Sequence, residues 1–98
     1  MTDLLELAHF RPHVGEAFDL LLDDGSRYPL ILQAAEALTP HAYPGKARDP
    51  FELRFTGTAD TLRQRTWPVE NAAMGRLDLF LVPIRGEDGR AVYQAIFT

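Results

Sequence analysis

Cysteine is absent from the 98 residues. That excludes a disulfide framework and every thiolate metal site, and it fits a reducing compartment. Serine occurs once, as Ser26 inside a turn, so neither thiol nor hydroxyl chemistry has an evident nucleophile. No apolar run approaches the ~20 residues needed to cross a bilayer. Basic residues are outnumbered, ten Lys and Arg against fourteen Asp and Glu, and the net charge is −4. A phosphate backbone or an anionic lipid surface needs concentrated positive charge, so neither nucleic acid nor membrane is an expected partner. The opening MTDLLELAHF places acids where a signal peptide carries bases. These absences lead to the expectation of a soluble cytoplasmic protein without a cofactor.

The residues present describe a globular domain. Apolar residues make up 46% and charged residues 24% of the chain, unlike a disordered composition. The length predicts one domain over residues 1–98, burying about two-thirds of the surface its unfolded chain exposes. Asp3 and Glu6 have capping-box spacing, and Leu4, Leu7 and Ala8 share one helical face before Pro12 intervenes. The expectation is a short helix over residues 2–10, followed by an antiparallel β-rich body over 16–98.

From Glu16 the apolar period becomes two. Phe18, Leu20 and Leu22 alternate with other residues up to Asp23-Asp24-Gly25. A three-residue loop pairs Leu20 with Tyr28 and Phe18 with Leu30. It gathers Phe18, Leu20, Tyr28, Leu30 and Leu32 on one face and Asp19, Arg27, Pro29 and Gln33 on the other. A two-residue loop scatters them. Register follows the buried pattern, which selects the longer loop with Gly25 left-handed.

Residues 38–50, with three prolines and a glycine, read as a long loop. Phe51-Glu52-Leu53-Arg54-Phe55 alternates cleanly as a strand. Thr66 to Glu70 reads as a short strand, and Pro68, lacking an amide donor, assigns it to an edge or a bulge. Asn71 to Gly75 turns the chain. The last two strands, 77–85 and 90–98, flank Gly86-Glu87-Asp88-Gly89. With a three-residue loop, Ile84 pairs with Val92, Val82 with Gln94 and Phe80 with Ile96. The other face then pairs Pro83 with Tyr93, Leu81 with Ala95 and Leu79 with Phe97. The sum is a mainly β fold: a small antiparallel barrel or rolled sheet of five to six strands, with a two-sheet sandwich as the alternative.

Chemical motifs are few. His9 and His13 have the i, i+4 spacing of a zinc pair, but Pro12 lies between them and no carboxylate completes the set. Gly45-Lys46 lacks the second glycine and the following Ser or Thr of a phosphate loop. Asp23-Asp24 and Glu87-Asp88 are ordinary turn acids, too few for a calcium loop unless the two turns converge. A hydrolase using His41 with Asp49 is a reading that two loop residues do not support geometrically. Neither catalytic nor metal-ligating residues are assigned.

The strongest signal is apolar. Residues 77–84, LDLFLVPI, start as an alternating strand and then become apolar on both faces. Phe80, Val82, Ile84, Val92 and Ile96 form a second face behind the core. Each large side chain is worth roughly 1.5–3 kcal/mol on burial. Two covers present themselves: the N-terminal helix (Leu4, Leu5, Leu7, Phe10) or the loop with Tyr43, and a partner protein or second copy. A competing expectation is a small-molecule or carbohydrate-binding barrel with Tyr43, Trp67 and Tyr93 at its mouth.

The order of phrases along the chain carries a resemblance. F.P.VG..F.L.LDDG covers Phe10 to Gly25, and PFELRF.G covers Pro50 to Gly57. MG.LDLFLVPI follows Trp67, and Y.A.F closes from Tyr93 to Phe97. The chain resembles, over nearly its full length, a family of small bacterial proteins known only as a domain of unknown function. The resemblance implies a neighbourhood of phage-tail-collar-like fibre genes and hence a role in a tail- or fibre-like assembly; with the second apolar face, the expectation is a non-enzymatic adaptor or assembly module contacting copies of itself, as a homo-oligomer, or a fibre- or tail-like protein. It supplies no site residue.

Overall fold

The computed structural model describes residues 6–38, 50–58, 62–87 and 89–97. One helical turn, α1 (Leu7–Phe10), runs into a 3-10 turn, Arg11–His13. Six strands follow: β1 (Ala17–Leu21), β2 (Arg27–Ala37), β3 (Phe51–Thr56), β4 (Arg65–Asn71), β5 (Gly75–Glu87) and β6 (Arg90–Phe97). They close into an antiparallel barrel in the order β1-β2-β3-β6-β5-β4. Closure decides between the barrel and the sandwich, since every strand has a hydrogen-bonded neighbour on each side.

The first hairpin has the expected register, Phe18 opposite Leu30 and Leu20 opposite Tyr28. The amide of Leu22 donates to Ser26 at 2.9 Å, and Gly25 has φ 88°. Its inward residues Phe18, Leu20, Leu30 and Leu32 are fully buried with Phe51, Leu53, Phe55, Val69, Leu81 and Tyr93. Phe18 meets Phe55 edge-on at 5.4 Å. This alternation, repeated around the ring, fills the barrel with side chains, as expected for a barrel of few strands.

The last hairpin departs from expectation in two ways. Ile84 does face Val92, and Val82 faces Gln94. The turn, however, pairs Glu87 with Arg90, a two-residue loop, and a bulge between Ile84 and Glu87 absorbs the extra residue. Gly86 allows this: a Cβ there would run into the backbone carbonyl of Arg90. The expected deeper pairs of Phe80, Leu81 and Leu79 with β6 are not part of the ladder. The early half of β5 is paired instead with β4, from Gly75 opposite Asn71 to Leu81 opposite Arg65. A strand of 13 residues coils between two neighbours as the barrel closes.

The described helix begins later than expected. Glu6 is its N-cap, and the His9 ring Nδ1 accepts the Glu6 amide at 2.9 Å; Asp3 lies outside the described residues. Pro12 sits in the first turn of the 3-10 segment, where its missing donor costs nothing. Phe10 is fully buried. It stands 5.9 Å from the Phe51 ring and 5.8 Å from Phe97, which themselves stack at 4.5 Å. Phe51 begins β3 and Phe97 ends β6, so these three rings stopper one end of the barrel.

Candidate protein interaction surface

Strand periodicity places Phe80, Val82 and Ile84 on the outer face of β5 and Val92, Gln94 and Ile96 on the outer face of β6. Phe80 is 51% exposed and Ile96 54%. Val82, Ile84 and Val92 are half-buried. The row continues across the barrel: Ile84 faces Val92, Val92 faces Thr56, and Thr56 faces Ile31. Ile31 is also exposed and extends the patch. Its signal in the sequence is the unbroken Leu30-Ile31-Leu32, where alternation fails.

The described part of the helix does not cover this face. Phe10 is committed to the barrel end, and Leu7 packs on the same core. Thus α1 stoppers the barrel rather than shielding its outer wall. Leu4, Leu5 and Tyr43 lie outside the described residues.

A polar group is set into the flank of the patch. Glu52, on the outer face of β3, is 8% exposed. Its carboxylate accepts a hydrogen bond from Gln94 Nε2 at 2.6 Å and pairs with Arg54 at 3.3 Å. Two partners make burial of a carboxylate tolerable. Arg90, on the same outer face of β6 as Val92, is exposed.

Of the proposed mouth aromatics, Tyr43 lies outside the described residues, and Trp67 and Tyr93 are buried. Tyr93 is fully buried and Trp67 is 4% exposed. The Tyr93 hydroxyl accepts the amide of Leu62 at 2.9 Å and lies 3.4 Å from the Tyr28 hydroxyl. Tyr28 in turn accepts the amide of Thr58 at 3.1 Å. Trp67 donates its indole N–H to the Arg63 carbonyl at 3.0 Å, with the Arg65 guanidinium 4.2 Å above its ring. The two tyrosines and Trp67 therefore anchor the described parts of the β3–β4 connection onto the other end of the barrel. Amphipathic rings suit this position, with an apolar body inside and a polar tip at the rim.

The remaining polar candidates stabilise structure. His13 Nδ1 lies 3.0 Å from Glu16, and His9 holds the helix cap. No group of three or more His, Cys, Asp or Glu suited to a metal occurs among the described residues. The first and last hairpin turns share one end of the barrel, but Asp23 pairs with Arg65 at 3.1 Å. Asp24 is held below its ordinary pKa by the Ser26 hydroxyl and amide; Asp88 lies outside the described residues. Asn71, which the sequence did not single out, is buried and bonds across to β1. Its signal is its place as the first residue of the Asn71-to-Gly75 turn. An open cleft of about 390 Å³ lies outside β1 and β4, lined by Asp19, Arg27, Glu70 and Arg76 among others. Arg27 already occupies both acids, at 3.6 Å from Asp19 and 2.8 Å from Glu70. No helix is long and apolar enough to cross a membrane among the described residues.

No curated protein and no solved structure matches the chain. A family model does match, over residues 5–97, and the protein belongs to that family, the domain of unknown function DUF6916.

Proposed function

We propose that the protein is a non-enzymatic interaction module that uses the outer wall of β5 and β6 to bind a protein partner. The observation that supports it is the exposure of Phe80 and Ile96 beside half-buried Val82, Ile84 and Val92. Isolated exposed apolar residues are normal, but a contiguous group on one sheet face is the usual mark of a contact surface. The partner is a second copy, which the apolar face would suit, or a fibre- or tail-like protein, as the family resemblance implies. Binding is to a sheet face rather than by strand addition, because the closed barrel offers few free edges.

Sedimentation over a wide concentration range, alone and with a phage-tail-collar-like fibre protein, tests the reading. A Phe80→Ser, Ile96→Ser double variant should remain folded and lose the association. A wild-type chain that stays monomeric at high concentration and ignores the fibre protein would remove the reading.

A further inference from the structure

The barrel is closed unevenly. Six residue pairs join β2 to β3, six join β3 to β6, and seven join β4 to β5. Five join β1 to β2 and four join β5 to β6, whereas the β1–β4 seam holds two: Asp19 opposite Glu70 and Leu20 opposite Val69.

The reason lies in backbone alternation. The Leu22 amide bonds to Ser26 on the β2 side, so the even residues of β1 direct their backbone groups to β2 and the odd ones to β4. Carried one residue beyond its last pair, Leu20 with Val69, the seam register would set Leu21 against Pro68. Leu21 would there present its carbonyl to a residue with no N–H, and the ladder stops short of it. At the other end β4 has already entered its turn. The Ala17 carbonyl, also aimed at β4, accepts instead from the Asn71 side chain at 3.0 Å.

Side chains hold what the backbone does not. Arg65 to Asp23 bridges the gap beyond Pro68 at 3.1 Å. Arg27 reaches from β2 over Asp19 to Glu70. Asn71 also donates to Glu16 at 3.2 Å. The arginine contacts are solvent-exposed ion pairs, individually weak and screened by salt.

We infer that the β1–β4 seam is the line along which the folded barrel opens, a gate held by Arg27, Arg65 and Asn71 where Pro68 interrupts the ladder. Opening presents the edges of β1 and β4, backbone that the closed barrel conceals. It is a sub-global event, with the other ladders intact.

Native-state hydrogen exchange on the full chain, read residue by residue by NMR, tests this. The amides of Asp19 and Glu70 should exchange at least about tenfold faster than those of Leu53 and Tyr93. Raising salt to roughly 1 M should widen the difference, because the Debye length falls to about 3 Å. Pro68→Ala supplies a donor where the extended register would meet Leu21 and should slow exchange at the seam alone. Arg27→Gln, an exposed change, should accelerate it and serves if the proline variant folds poorly. Equal exchange of Asp19, Glu70 and Leu53, or seam exchange indifferent to salt and to the folded variant, would overturn the inference.

Discussion

Asn71 and Ala17, 54 residues apart in sequence, are joined by a 3.0 Å hydrogen bond from a side-chain amide to a strand carbonyl. The same asparagine accepts the amides of Ala73 and Met74 through Oδ1, each at 2.9 Å. One buried side chain thus forms the β4–β5 turn and closes the barrel. Asn71→Ala should destabilise the protein by about 2–4 kcal/mol, since several buried groups lose their partners together. Urea denaturation of the variant against wild type measures this. Asn71→Asp retains the acceptor for the turn but loses the donor to Ala17, and should also destabilise.

Acid should weaken the same corner. Hydrogen bonds from Asn71 and then from His13 hold the Glu16 carboxyl below its ordinary pKa. A depressed folded-state pKa stabilises the fold above the unfolded value and is lost as pH falls through the folded one. Thermal melts through the acidic carboxylate range should show a falling Tm. Glu16→Gln should flatten part of that fall while leaving the neutral-pH fold intact.

Gly86 should not accept a side chain. A Cβ at this position meets the Arg90 carbonyl, and main chain in a bulged hairpin cannot swing aside as a flexible side chain can. Gly86→Ala should cost about 1–3 kcal/mol and shift the amide resonances of Arg90 and Ala91. Chemical denaturation with NMR of the hairpin checks both effects.

Tyr93→Phe removes the hydroxyl that accepts the Leu62 amide. The ring still fills the core, so the loss is confined to the polar rim. Destabilisation of about 1–3 kcal/mol is expected, together with faster amide exchange at Leu62. Phe10→Ala, by contrast, empties the stopper against Phe51 and Phe97 and should cost about 3–5 kcal/mol.

Local chemistry was legible along the chain. The acid-acid-glycine turn and the apolar alternation around it determined the β1–β2 register, because a slip of one residue exposes Phe18 and Leu20. The double-sided apolar character of β5 and the outward place of Phe80, Val82, Ile84, Val92 and Ile96 were equally readable. The fates of Trp67 and Tyr93 were not, because a ring at a barrel end is either a ligand wall or a plug, depending on which connection folds over it. Nor was the coiling of β5 from β4 to β6, which comes from closing a twisted sheet on itself.

The sequence by itself determined which residues alternate, where the chain turns, and that one ribbon is apolar on both faces, since these follow from side-chain period and turn stereochemistry over a few residues. Tertiary structure alone decided that β1 meets β4, that this seam is only two pairs long beside Pro68, and that Asn71 serves Ala17. Those pairings join segments some fifty residues apart, and only closure of the ring brings their backbones within hydrogen-bonding distance.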